Sequence, residues 1–373
     1  VLADEVGLEP SAELRLLEQR ILAQDPVLDT LAAFEPAAEA AAIAEHNPYK
    51  GLRAFEEADA ADFYGREALV RRLREALVRR TGSRLVVLAG PSGSGKSSVV
   101  KAGLIPVLRA DGWSIATTFP GDEPLEALES AVDALEAQSR SLLIVDQLEE
   151  LITLAPESSQ QEFLNRLAEL ATTNDHPWVV ATVRADFLDR LLIHPRFARL
   201  VEPALVLVTP LEDHEVRDVI AAPASRVGAT VEPDLVAAMV RDVAQRAAAL
   251  PLLEYALTDL YDRAGGGPLT LHALESAGGI SGALVKRAEE LYTGLDDAGR
   301  TTARQLFLRL VTLTDEGEAL RRRVATASMA GLPNVDEVLS IFGQHRLVTF
   351  DRNRAGEPTV EVAHEALLSE WPR

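Results

Sequence analysis

Leu85-Val86-Val87-Leu88-Ala89-Gly90-Pro91-Ser92-Gly93-Ser94-Gly95-Lys96-Ser97-Ser98-Val99-Val100 decides how this chain is read. Its first part is a short apolar, β-branched run, its last part opens a helix, and Gly90 to Ser97 between them matches G-x-x-x-x-G-K-[ST]. A strand that turns into a helix through glycines can aim several backbone N–H groups at one spot. The helix N-terminus adds the positive end of its dipole. Such a turn is a cradle for phosphate. Gly90, Pro91, Ser92, Gly93, Ser94, Gly95 and Ser98 form its wall, Lys96 reaches the β- and γ-phosphates, and the Ser97 hydroxyl serves Mg²⁺.

Outward from this P-loop, Ser141-Leu142-Leu143-Ile144-Val145-Asp146 is an apolar run ending in an acid, 50 residues after Lys96. A P-loop fold places its second Mg²⁺ ligand there. An acid at a strand end is also a common helix cap, so Asp146 has both readings open, with the P-loop favouring the metal. Glu149 or Glu150 follows at a distance suited to orienting an attacking water. The next run ends in Thr182-Val183-Arg184-Ala185-Asp186, which sets Arg184 at the same carboxyl edge of the sheet. Arg184 either senses the γ-phosphate and transition-state charge or forms a salt bridge to Asp186 or Asp189.

Short apolar runs at 84–89, 113–118, 142–145, 179–183 and 205–208, separated by helix-length segments, predict an α/β domain with a buried parallel sheet. After Pro210 the strands stop. Residues 212–295 read as successive amphipathic helices broken at Pro223, at Pro233, at Gly265-Gly266-Gly267-Pro268 and at Gly278-Gly279. From Ala298 come three helical patterns and two β-like runs, 347–351 and 359–363, a pattern that predicts a winged-helix unit. The expected layout is therefore a P-loop NTPase domain over 47–210, a helical lid over 211–296 and a winged-helix domain over 297–373. A short helix over 11–23 lies in a separate N-terminal segment, 1–30, joined by a linker at 31–46.

The 373 residues are 47% hydrophobic and 25% charged, ordinary globular usage, with no membrane-length apolar run and no signal-peptide order. The absence of cysteine excludes disulfides, thiolate metal sites and a cysteine nucleophile, and the cytoplasm is the expected compartment. A net charge of −21 repels nucleic acid, and the chain opens without methionine, as an internal piece of a longer protein would.

Phe63-Tyr64-Gly65-Arg66-Glu67, the P-loop, Asp146-Gln147-Leu148-Glu149-Glu150 and Arg184 together resemble a STAND NTPase, a signal-transducing ATPase class. Asn47-Pro48-Tyr49-Lys50-Gly51-Leu52-Arg53-Ala54-Phe55 resembles its bacterial novel-STAND branch. The resemblance implies ATP or ADP as ligand, with Tyr64, Gly65 and Arg66 on the adenine and ribose side. It also sets Pro251 of Leu250-Pro251-Leu252 near the base, although the family's glycine is missing and the first residue of a helix is the commoner reason for a proline. His364 of Val362-Ala363-His364-Glu365 resembles a winged-helix histidine that touches the ADP β-phosphate; by itself it reads as a capping or core residue.

Residues 1–30, with Leu8-Glu9-Pro10-Ser11 and Gln24-Asp25-Pro26, resemble the end of a bacterial transcriptional activator domain as in SARP-type regulators. That implies DNA contact only through a region N-terminal to this chain. The expected function is a switch with slow ATP hydrolysis inside a larger regulator, answering an unidentified signalling ligand or protein and able to self-associate on activation, with no membrane partner. The alternatives are an AAA+-like motor and a scaffold with a vestigial nucleotide site.

Overall fold

A computed structural model of the protein describes residues 46–371 apart from 80–82, 122, 136–139, 174–176, 245–248, 314–318, 346, 353–356, 364–366 and 369–370. The N-terminal helix, the activator-domain tail and His364 lie outside the described residues.

Five parallel strands form the first half: β1 (Leu85–Gly90), β2 (Ser114–Thr118), β3 (Ser141–Val145), β4 (Trp178–Arg184) and β5 (Leu205–Leu207), in the order β2-β3-β4-β1-β5. Each run read from the sequence is a strand, shifted by a residue or so. Alternation along the strands divides the interior in two. Leu85, Val87, Leu143, Val145, Val179, Ala181 and Val183 pack with Leu128 of α3 (Pro124–Asp133) and with Phe163, Leu164 and Leu167 of α4 (Glu157–Thr172). Val86, Leu88, Leu142, Ile144 and Val180 pack with Leu69, Leu73 and Leu77 of α1 (Glu67–Arg79) and with α2, a continuous helical run of Lys96–Ser98, Val99–Leu104 and Ile105–Ala110 whose middle turn is π-helical. Burial on both faces explains why the strands read as unbroken apolar runs rather than alternating ones.

Helices follow: α5 (Asp213–Arg226), α6 (Pro233–Ala244), α7 (Leu250–Ala264) and α8 (Gly279–Gly294). Pro223 was expected to end a helix, yet it lies inside α5. Three residues from the helix end its missing N–H removes one hydrogen bond, and the ring is buried there. Beyond stand α9 (Asp297–Arg309) and α10 (Val335–Gln344), the two longer helices of this region among the described residues. Between them run a hairpin of β6 (Val311–Leu313) and β7 (Ala319–Arg321), the two-residue β8 (Val324–Ala325) and a 3-10 turn, Thr326–Met329. Strands of two and three residues are too short for periodicity to reveal. β9 (Val348–Arg352) and β10 (Pro358–Val362) pair as expected, and β8 completes an antiparallel sheet, β8-β10-β9. The helices that follow β5 and those of the C-terminal unit, 297–371, share one apolar cluster, from Ile220 and Leu253 to Leu306, Phe342 and Val360, which also takes in Tyr49 and Leu52.

Tyr49 and Lys50 tie the N-terminal strap to that cluster. The Tyr49 hydroxyl donates to the Ile220 carbonyl at 2.5 Å. Lys50, only 1% exposed, bridges Asp62 at 2.9 Å and Asp59 at 3.1 Å, while Arg226 of α5 also binds Asp62. The Lys50 N–H donates to Glu254 of α7 at 3.2 Å. Burial pushes the Glu254 carboxyl up to about 7, against the pull of Lys50 and with a push from Asp62.

An ordinary glutamate ionises near ~4.3. Between that value and about 7 the folded chain holds a proton that the unfolded chain has lost, so this group's contribution to stability falls as pH rises through that window. Glu254→Gln, which mimics the protonated form, is therefore expected to raise the melting temperature at about pH 8 and to change it little at about pH 4.5. Thermal unfolding at the two pH values checks this, and an equal shift at both would contradict it.

Candidate functional site

The site lies at the carboxyl edge of the sheet, where β1 enters the P-loop. Gly93 and Gly95 have φ of 69° and 86°, the left-handed region that a side chain resists. Gly90 is required for space: a Cβ there would stand 2.9 Å from both Ser94 Oγ and Val208 Cβ. Lys96 is 8% exposed, and its ammonium donates to the carbonyls of Gly90 at 3.0 Å and Pro91 at 2.9 Å. Burial draws its pKa down; Glu149 pulls it back up, Arg184 adds to the fall, and Asp146 also pulls up.

Sheet order brings the acids to the loop. β4 lies between β1 and β3, and the β1–β4 register pairs Gly90 with Arg184. The Ser97 hydroxyl donates to Asp146 Oδ1 at 2.9 Å, which joins the two expected metal ligands. Asp146 is 1% exposed, and its Oδ2 has no hydrogen-bond partner among the described residues; Ser94 Oγ is orphaned in the same way. A buried carboxylate oxygen left without a donor, beside a serine hydroxyl and a phosphate-binding loop, fits a hard divalent cation such as Mg²⁺.

The two glutamates diverge. The Glu149 carboxylate accepts the Arg184 N–H at 3.2 Å and lies close enough to Lys96 and Asp146 to exchange charge effects with both. Burial pushes its carboxyl above the ordinary range. Glu150 turns toward the C-terminal unit: burial pushes it up to about 7, Arg323 pulls it down, and Glu149 and Glu361 push it up. Arg323 in turn bridges Glu361 of β10 at 3.3 Å. The Arg184 guanidinium grips Asp186 at 3.2 and 2.8 Å, so in this structure the salt-bridge reading is the one realised.

Other expected residues are distributed around the loop. Arg66 is buried and donates to the carbonyls of Thr209 at 2.8 Å and Ser94 at 3.2 Å, bracing the P-loop backbone. Gly65, at φ 79°, lies against α5 so closely that a Cβ would sit 2.7 Å from the Glu215 carbonyl oxygen, with Tyr64 half-buried beside it. Ser98 Oγ accepts the Phe55 N–H at 3.1 Å, so its side chain serves the strap. Pro251 occupies the first turn of α7.

Thr182 was not among the expected residues. Its hydroxyl donates to Asp146 Oδ1 at 2.5 Å and accepts the Gln147 N–H at 2.9 Å. A lone hydroxyl in the apolar run of β4, two residues before Arg184, was the signal available.

A family model described as Novel STAND NTPase 1 matches residues 48–373. The chain belongs to that family. The match begins at the strap and takes in the P-loop, the helical region and the C-terminal unit, which makes this family member an NTPase of the STAND type. No curated protein matches the chain.

Among solved structures the family member is similar to the Aeropyrum pernix ORC1 protein in complex with DNA, at 18% identity and a TM-score of 0.47, over 83% of this chain and 92% of that one. It is also similar to a Thermotoga maritima RuvB mutant, at 15% identity and 0.43, over 84% and 98%. The closed state of Hsp104 is similar at 13% identity and 0.44, over 75% and 50%.

Proposed function

We propose that the chain is an ATP/ADP-driven signal-transduction switch with slow hydrolysis, the regulatory NTPase module of a larger multidomain bacterial regulator acting in the cytoplasm. The observation that carries this reading is the position of Glu150. It is the next residue after Glu149 in the turn that follows Asp146, yet it lies within reach of the charges of the C-terminal unit: Arg323 pulls its pKa down and Glu361, itself bridged to Arg323, pushes it up. A change at the nucleotide phosphates that moves this turn is felt directly by that unit, and such differential contact is what a switch needs.

In this reading the P-loop amides and Lys96 hold the β- and γ-phosphates, and Ser97 and Asp146 hold Mg²⁺. Bound Mg²⁺ supplies neutralisation of phosphate charge. Glu149 orients the attacking water and accepts its proton, and Arg184 leaves Asp186 to meet the charge developing on the γ-phosphate. Arg66, Gly65, Tyr64 and Pro251 form the nucleoside side. The two helices and small sheet of the C-terminal unit act as a winged helix whose His364 contacts the ADP β-phosphate. Activation permits self-association in response to a signalling ligand or protein, and the intact regulator reaches DNA through its N-terminal region.

Glu149→Gln is expected to slow ATP turnover by about a hundredfold or more while ATP still binds, and Glu150→Gln to slow it far less. Single-turnover hydrolysis with parallel nucleotide titrations reads both. Equal losses in the two variants would contradict the division of roles. Small-angle scattering of nucleotide-free, ADP-bound and ATP-bound protein tests the switch, which three identical profiles would refute. Steady turnover in the range of about 1 to 100 per second would favour a motor instead.

A further inference from the structure

We infer that Thr182 is a positioning residue for the cation site: by holding Oδ1 it fixes the rotation of the Asp146 carboxylate beside Ser97, and it holds the turn that carries Glu149. This inference rests on the nucleotide and Mg²⁺ reading proposed above.

Three hydrogen bonds join Thr182 to the turn after β3. Its hydroxyl donates to Asp146 Oδ1 at 2.5 Å, it accepts the Gln147 N–H at 2.9 Å, and its carbonyl accepts the Leu148 N–H at 2.9 Å. A hydroxyl carries a single proton. Because the Gln147 N–H already points at the Thr182 oxygen, that proton is committed to Asp146, and Thr182 is a donor of fixed direction. The residue is 1% exposed, so water does not compete for these bonds.

Oδ1 also accepts from Ser97 at 2.9 Å, while Oδ2 is buried without a partner among the described residues. Ser97 is a ligand candidate itself. Once its hydroxyl turns to the cation, the bond from Thr182 stays on Oδ1 and keeps the carboxylate from rotating. Gln147 adds a second reason for the clamp. Its φ of 55° is a left-handed conformation that a residue with a side chain resists, and the bond from its N–H to Thr182 helps hold it. Two residues later Glu149 meets the Arg184 N–H. The position of β4 between β1 and β3 is what makes one threonine able to reach this turn.

The test uses the whole chain and titrates ADP by calorimetry, in EDTA and across a range of Mg²⁺ concentrations. Thr182→Val keeps the shape and removes the hydroxyl; Thr182→Ser keeps the hydroxyl. Partners of metal ligands typically contribute about 10- to 100-fold to metal affinity. Thr182→Val is therefore expected to need at least about tenfold more Mg²⁺ for the same tightening of ADP, with its ADP affinity in EDTA unchanged, and Thr182→Ser to stay within about twofold of wild type.

Should the valine variant fail to fold, Thr182→Cys, similar in volume and a weak donor, is expected to shift in the same direction. A valine or cysteine variant with the wild-type Mg²⁺ dependence would overturn the inference, as would a serine variant as impaired as valine. Wild-type protein that binds ADP with no response to Mg²⁺ would overturn the cation reading itself, and the inference with it.

Discussion

Lys96→Ala is expected to abolish nucleotide retention: protein purified with bound ADP becomes empty, and ADP affinity falls by about a hundredfold or more, since each hydrogen bond from a charged group contributes about 1.5–3 kcal/mol. The fold is expected to survive. The Lys96 ammonium is buried against the carbonyls of Gly90 and Pro91, and its lowered pKa marks a charge held at a desolvation cost. Removing it takes away a phosphate ligand together with that cost, so the melting temperature of the nucleotide-free variant should match that of nucleotide-free wild type. Chromatography of nucleotide released on denaturation, with a melting curve of each protein, separates the two effects. An ADP-loaded Lys96→Ala variant would contradict the assignment of the phosphate site.

Lys50→Met should have the opposite signature, a large loss of stability with the phosphate loop untouched. Lys50 is 1% exposed and bridges Asp62, itself 2% exposed, and Asp59. Breaking a buried ion pair from one side typically costs about 3–5 kcal/mol because the remaining charge is stranded. Arg226 and Arg53 still reach Asp62 and Asp59, which places the expected loss near the lower end, about 3 kcal/mol. A chain of this length loses roughly 1–2 °C of melting temperature per kcal/mol, so a drop of about 4 °C is expected by calorimetry. A shift under about 1 °C would mean that the strap is not held by this pair.

Much of the site was legible because its chemistry is local in sequence. The P-loop declares itself by glycines at fixed offsets, and Asp146 by ending an apolar run; the structure brings Asp146 onto Ser97. What spacing could not reveal was direction. Glu149 and Glu150 are adjacent in the chain, but the turn at Gln147, with its left-handed φ, sends one toward Lys96 and the other toward Arg323. Arg184 had two readings because a guanidinium at a sheet edge can serve phosphate or a neighbouring acid equally well. Thr182 was missed because its role depends on the strand order, which sequence periodicity does not carry.

In the fold, buried parallel strands were plain from their unbroken apolar runs. The β6–β7 hairpin was not, since three-residue strands leave no period to count, and Pro223 misled because a proline near a helix end removes only one hydrogen bond. The strap motif around Tyr49 and Lys50 was legible as a pattern. Its partners Ile220 and Glu254, 171 and 204 residues away, could be known only from the fold.

The central claim is that nucleotide state at the P-loop is passed to the C-terminal unit through the turn after Asp146. Hydrogen exchange of the whole chain, loaded with ADP and then with a non-hydrolysable ATP analogue, measures it directly. Protection is expected to change together in 146–153 and in 321–325 and 358–362, and Glu150→Gln to uncouple the two regions. Protection that changes at the P-loop alone, with the C-terminal unit the same in both states, would contradict it.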